Sequence, residues 1–318
     1  LPRLSHYDFI FFHPISALWL FPLRLMGRDR PLLVMDSRDL LDSNVTTLKA
    51  RLRNGWERFT YWLAARLIDG QTAITPRLAH IVGIPPQQLW GIWPSGVAPE
   101  TFDVSRADRQ WPAAGEPVRL VYAGIFLEQR NLLPLVRAVK RANDEGLAFT
   151  LSLYGDGPLR PALEAEAADS GGSVRVEQPI PYDRIPAMLG EAHIGVTSLP
   201  SLGDAKYEAS SPLKMFEYMA AGLPILSTSN NCHTDVVGRG GYVFWASEPS
   251  EEHLLGALRQ AWAARDRLAE LGREAYDDVH EWTWAAAARK LHSALADGLR
   301  RRKQSYATAQ LAAGKTNR

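Results

Sequence analysis

The stretch Ser210-Ser211-Pro212-Leu213-Lys214-Met215-Phe216-Glu217-Tyr218-Met219-Ala220-Ala221-Gly222-Leu223-Pro224 reads as one short helix leading into a strand. Ser211 is a good N-cap, and Pro212 suits the first helical position. Gly222 closes the helix and Pro224 prevents its continuation. The first turn then offers the N–H groups of Leu213 and Lys214, a helix start of the kind that binds phosphate, and Lys214 adds a full charge. Glu217 lies three residues after Lys214, so both share a helix face. A carboxylate there can accept two hydrogen bonds from a diol. On helix logic alone, a capped core helix whose Glu217 merely pairs with Lys214 is the plainer reading and stays open.

Outward from this segment, short apolar strands alternate with amphipathic helices, the pattern of an α/β chain with parallel sheets. Before residue 99 the pattern predicts strands at 7–12, 32–35, 71–74 and 89–93, with helices at 16–26, 47–67 and 76–82. Leu48, Leu52, Trp56, Phe59, Leu63 and Leu67 form one stripe, the spacing of a core-facing helix. The Pro-containing stretch 99–117 lacks periodicity and reads as a linker. After it come strands at 118–123, 149–154, 174–176, 194–198, 224–227 and 242–244. Helices separate them, and a last helix at 284–299 precedes a frayed tail, 300–318.

Composition narrows the classes. The chain has 318 residues, enough for about two domains. Lys plus Arg number 36 against 35 Asp plus Glu, a net charge of +1 that argues against nucleic acid as a partner. The one cysteine, Cys232, rules out an internal disulfide and reads as inert in a loop. No signal peptide is visible. The run 15–26 holds Arg24 and is too short to span a bilayer. It reads as a buried helix or as a face resting on a membrane, with Trp19 and Phe21 at the boundary.

Three more strand-to-helix loops are candidates, because ligands of open α/β sheets sit at the carboxyl ends of strands. In Gly124-Ile125-Phe126-Leu127-Glu128-Gln129-Arg130-Asn131, Asn131 is the expected N-cap and Arg130 is placed to reach a phosphate. Tyr154-Gly155-Asp156-Gly157-Pro158 begins like a dinucleotide fingerprint. Arg160 at the third glycine position favours a tight turn instead. The polar loop 201–210 reads as a specificity loop or a solvated connection. His13, after the first strand, either enters a cleft or is structural. No histidine pair has metal spacing.

The order of these pieces resembles the group 1 (family 4) retaining glycosyltransferases of the GT-B fold, built of two Rossmann-like doubly wound domains. Ser211-Pro212-Leu213-Lys214 with Glu217 is the specific match. Gly124 with Arg130, Tyr154-Gly155-Asp156-Gly157-Pro158, Ala192-His193-Ile194-Gly195-Val196, Pro94-Ser95-Gly96-Val97 with Phe102, and Trp284 follow in the right order. The resemblance implies an acceptor-side domain at 1–105, a donor domain at 106–283, and a helix at 284–299 returning to the first domain. It implies transfer of a sugar from a nucleotide sugar, UDP- or GDP-type, to a glycan or lipid-linked acceptor, with retention and without a metal or other cofactor. Glu217 and His13 would be the catalytic positions, Glu217 holding the ribose hydroxyls and His13 near the reacting sugar. Gly124, Arg130, Ser210, Ser211, Pro212, Leu213, Lys214 and Glu217 would bind the donor. The chain departs from the pattern at Ser95, at Ile125 and at Ala209, where a donor-contacting Glu is usual and Glu208 stands one residue off register. These departures leave room for a non-catalytic nucleotide-sugar-binding subunit or a sugar-nucleotide epimerase. The expected place is the cytoplasm, or the inner membrane face with peripheral contact. Four strands against six, and a start at Leu1 rather than Met, suggest a first domain lacking its opening strands.

Overall fold

A computed structural model describes residues 6–20, 22–23, 30–40, 47–200, 203, 205–238 and 240–316. The chain divides into two compact units: residues 1–94, 209–211 and 287–318 form one, and 95–208 with 212–286 the other.

The first unit runs β1 (Phe9–Phe12), α1 (Ala17–Leu20), β2 (Leu32–Ser37), α2 (Leu48–Leu67), β3 (Gly70–Ala73), α3 (Pro76–Ile81) and β4 (Leu89–Ile92). Its four described strands are parallel in the order β1-β2-β3-β4. β2, bounded by neighbours on both edges, is buried at all six positions, as a parallel strand covered on both faces should be. Thr75 caps α3, its Oγ1 accepting the Leu78 N–H at 3.0 Å.

The second unit runs α4 (Asp103–Ala107), β5 (Val118–Ala123), α5 (Leu132–Asp144), β6 (Phe149–Tyr154), α6 (Arg160–Ala168), β7 (Val174–Glu177), α7 (Ile185–Gly190), β8 (Ile194–Thr197), α8 (Ala205–Glu208), α9 (Leu213–Ala220), β9 (Ile225–Thr228), α10 (Asn231–Val237), β10 (Val243–Ala246), α11 (Glu251–Ala263) and α12 (Leu268–Asp278). α13 (Trp284–Thr316) follows, and from Ala287 it groups with the first unit. The six strands are parallel in the order β10-β9-β8-β5-β6-β7. Strand order therefore reverses between β5 and β8, and the crevice at such a switch point is where a doubly wound sheet takes its ligand.

Several expectations change. The stretch 99–117 is not a free linker. Phe102 is fully buried, Arg106 donates to the Ala220 carbonyl at 2.6 Å, and Arg109 donates to those of Gly222 at 2.8 Å and Leu189 at 2.9 Å. The Ala220 and Gly222 carbonyls lie at and just past the end of α9, where the helix cannot bond them itself, and the Leu189 carbonyl lies in the last turn of α7. The tail is helical to Thr316, and Arg302 donates to the Arg30 carbonyl at 3.0 Å. The α2 stripe is not core: Leu48, Leu52, Trp56 and Phe59 are exposed, Leu63 is half-buried and only Leu67 is buried. Phe21 lies outside the described residues. Cys232 and His233 sit buried in the first turn of α10, not in a loop. Of the loop 201–210, residues 201, 202 and 204 are outside the described residues.

Candidate functional site

At the switch point, β5 leads into Gly124 and β8 into Ser198. Ser198 Oγ donates to the Arg130 carbonyl at 2.6 Å, and Asn131 Nδ2 donates to the Ser198 carbonyl at 2.9 Å. The two loops are thereby stitched together. Asn131 does this from a left-handed backbone (φ 50°); it stands at the N-cap of α5 as expected, but without a side-chain capping bond. Its side chain is committed to Ser198 and Gln129 carbonyls instead.

Gly124 has φ 151°, and a Cβ on it would stand 2.6 Å from Lys214 Nζ. The absent side chain is what lets the lysine reach over the end of β5. The adjoining Gly155-Asp156-Gly157 turn packs on the same loop, with Gly124 N–H donating to Tyr154 O and Phe126 N–H to Asp156 O, both at 2.8 Å. Arg160 donates to the Gly155 carbonyl at 2.7 Å. The turn is a tight connection from β6 into α6.

α9 begins one residue later than the capping pattern implies. Pro212, not Ser211, is the N-cap, and no side chain caps the helix. The first bonds of the turn are Met215 N–H to Pro212 O at 3.0 Å and Phe216 N–H to the same oxygen at 3.4 Å. Leu213 and Lys214 thus lie within the turn whose N–H groups precede the helical ladder. Ser210 and Ser211 group with the first unit, while Pro212, Leu213, Lys214 and Glu217 belong to the second.

Charges in this crevice are only partly matched. Lys214 is pulled down to about 8, mainly by burial, then by the Arg130 guanidinium, with Glu217 opposing. Burial raises Glu217, against Lys214 and a hydrogen bond from the Tyr182 hydroxyl. Arg130 Nε is buried without a hydrogen-bond partner, and its guanidinium lies 5.2 Å from the Tyr207 ring centre. Lys214 Nζ stands 5.5 Å from the Tyr122 ring centre, and Tyr122 donates to Ile125 O at 3.0 Å. Two cations and an orphaned donor beside a helix start make a site for a polyanion. Tyr122, Tyr182 and Ser198 were not singled out from sequence. The spacing of Tyr122 two residues before Gly124, on one face of β5, was the available signal.

Ala209 is 2% exposed and packs with Ile74 and Leu78 in the first unit, where Thr75 Oγ1 donates to its carbonyl at 2.8 Å. A carboxylate in that apolar pocket would be costly. Glu208 accepts from Gly203 N–H at 2.9 Å and from Asn231 Nδ2 at 2.8 Å, so both its oxygens hold the loop.

In the first unit, His13 is exposed and its Nδ1 accepts from Ile15 N–H at 3.4 Å. Nearby at the carboxyl ends, Asp36 Oδ1 accepts from Thr72 Oγ1 at 2.6 Å and Trp93 Nε1 at 2.9 Å. Burial raises the Asp36 carboxyl, against these bonds and the charges of Arg38 and His13. Arg38 stacks 3.9 Å over the Trp93 ring. Sequence reading passed over this cluster because Asp36 and Trp93 are 57 residues apart. His13 and Glu217 lie in different units.

A switch-point crevice lined by two cations is where a doubly wound α/β unit takes its ligand. Residues 117–263 match the family model of glycosyl transferases group 1. A 2-deoxystreptamine glucosyltransferase of Streptomyces kanamyceticus is 28% identical over 192 residues, 55% of this chain and 46% of that protein. A putative colanic acid biosynthesis glycosyltransferase, WcaL of Salmonella typhimurium, is 25% identical over 211 residues, 62% of this chain and 48% of that protein. The chain therefore spans about half the length of these curated relatives. Among solved structures, Anabaena HepE in complex with UDP superposes with a TM-score of 0.70 at 13% identity, over 93% of this chain and 80% of that one. Sucrose-phosphate synthase of Thermosynechococcus elongatus gives 0.66 at 17%, over 95% and 75%. The fold is GT-B.

Proposed function

We propose that the chain moves a sugar from a UDP- or GDP-type nucleotide sugar to a glycan or lipid-linked acceptor, with retention of anomeric configuration. The observation that carries this reading is the pairing of Lys214 and Arg130, with its orphaned Nε, at the β5/β8 switch point. In this reading both cations and the Leu213 and Lys214 N–H groups face the donor diphosphate. As the bond from the anomeric carbon to phosphate oxygen breaks, they stabilise the negative charge left on the diphosphate. That electrostatic role needs no metal or other cofactor. Glu217 accepts the ribose hydroxyls in place of the Tyr182 hydroxyl. His13 and the Asp36 cluster serve the acceptor side, at the cytoplasmic membrane face. Ser210 and Ser211 hold donor phosphate as α9 begins.

Thermal unfolding with UDP- and GDP-sugars tests this. One nucleotide series should raise Tm in the wild type and not in Glu217→Ala. No shift with either series would overturn the reading. A second reading, a non-catalytic nucleotide-sugar-binding subunit, is favoured by one observation: Ala209 is buried and Glu208 is committed to the loop, so neither offers a free carboxylate to the donor sugar. Binding without turnover across an acceptor panel would select it. Rearranged donor recovered without any acceptor would instead mark an epimerase.

A further inference from the structure

α2 carries an apolar face that the first unit does not cover. At 100° per residue, Leu48, Leu52, Trp56, Phe59 and Trp62 fall within a stripe about 120° wide. All five are exposed, from 44% for Phe59 to 73% for Leu48. Thr60, Ala64 and Leu67, on another side of the helix, are the residues that reach the core. The aromatic side chains are organised: Trp56 and Phe59 centroids are 5.8 Å apart, and Phe59 stacks on Trp62 at 5.9 Å. α1 and the turn before it pack against α2 and add Trp19, 85% exposed, with Ile15 and Leu18.

The charges of the helix supply the second observation. Lys49, Arg51, Arg53, Arg58 and Arg66 stand against one acid in its sequence, Glu57. On the helical wheel Arg51 and Arg58 flank the stripe on one side, and Lys49 and Arg53 on the other. Arg66 lies along it, 3.6 Å over the Trp62 ring. Tryptophan, phenylalanine and leucine bordered on both sides by cations match the interface of an anionic bilayer, where rings enter the headgroup boundary and cations meet phosphate. A protein partner would need a complementary apolar and acidic face; a lipid surface supplies both features at once. Among the described residues no helix is long and apolar enough to cross a membrane, so this contact lies in the interface plane.

We propose that the outer face of α2, with Trp19 beside it, docks the protein on an anionic lipid surface. The contact is independent of the donor site, and its test does not use turnover. The full chain is sedimented with vesicles of phosphatidylcholine alone or mixed with phosphatidylglycerol. It should partition onto the mixed vesicles only, and less as salt rises. Trp56→Ser/Phe59→Ser and Arg51→Glu/Arg58→Glu should each lower the partition coefficient by ~10-fold or more. Both variants should keep the wild-type melting curve and donor-induced Tm shift, since their side chains are exposed. Equal binding to neutral vesicles, binding by the variants equal to wild type, or no binding by wild type would each overturn the proposal. So would concentration-dependent self-association abolished by Trp56→Ser/Phe59→Ser, which assigns the face to a second copy.

Discussion

Lys214 shows how a single residue trades stability for binding. Burial holds its ammonium down to about 8, so the charged form is present at neutral pH and declines as pH rises through that value. Diphosphate affinity should therefore fall above about pH 8, and Lys214→Met should bind weakly with no such pH dependence. Titration calorimetry at several pH values checks this. The same variant should melt higher than wild type without ligand, because a buried charge next to Arg130 has been removed. Two buried histidines should contribute to acid sensitivity. His193 and His233 are lowered to about 4, chiefly by burial. The unfolded chain takes up their protons first, so the stability they contribute is present above about pH 6.5 and lost as pH falls toward 4. The second unit should lose about 3 kcal/mol per histidine across that window. His233→Gln should flatten the curve measured by urea unfolding.

At the scale of elements, close backbone approaches set what each can do. α13 lies against β4 where Gly298 leaves room for the Trp90 ring, and a Cβ there would stand 2.3 Å from it. Gly298→Val should destabilise the first unit by about 2 kcal/mol, read from denaturant unfolding. Gly124→Val should cost folding as well as donor binding, because its φ of 151° disfavours any side chain and the new one displaces the end of Lys214. The strands and most helices were legible from short apolar segments set between turn residues: β5 carries Val118, Leu120, Val121 and Tyr122 ahead of Gly124, and β9 opens with Ile225 and Leu226 after Pro224. The start of α9 was legible in kind but slipped by one residue, because Pro212 ends up as cap rather than as first helical residue. α2 was misread for a geometric reason. Its period marks an apolar face but not what covers it. Twenty residues make a helix about 30 Å long, against about 13 Å for the four-residue β3, so its first half overhangs the sheet.

For the whole molecule, the donor side was far more readable than the rest. Its residues cluster in sequence: Lys214 and Glu217 share one helix, and Gly124 and Arg130 share one loop. The Asp36–Thr72–Trp93 cluster is assembled from three separate strand ends, and no local spacing reports it. Asp36→Asn should lower kcat/KM for the acceptor with donor affinity unchanged, whereas Lys214→Met should lower donor affinity itself. The domain limits moved for a related reason. The proline-rich stretch lacked periodicity, yet Arg106 and Arg109 anchor it by bonds to carbonyls more than 80 residues away, save one at 80.

The most direct test is calorimetric titration of the wild type, Lys214→Met and Glu217→Ala with UDP and with GDP. One nucleotide should bind the wild type saturably with one site, and both variants should lose at least ~10-fold in affinity, as removal of a charge-assisted contact implies. Wild-type affinity retained in both variants, or no binding of either nucleotide, would contradict a donor site at the β5/β8 switch point.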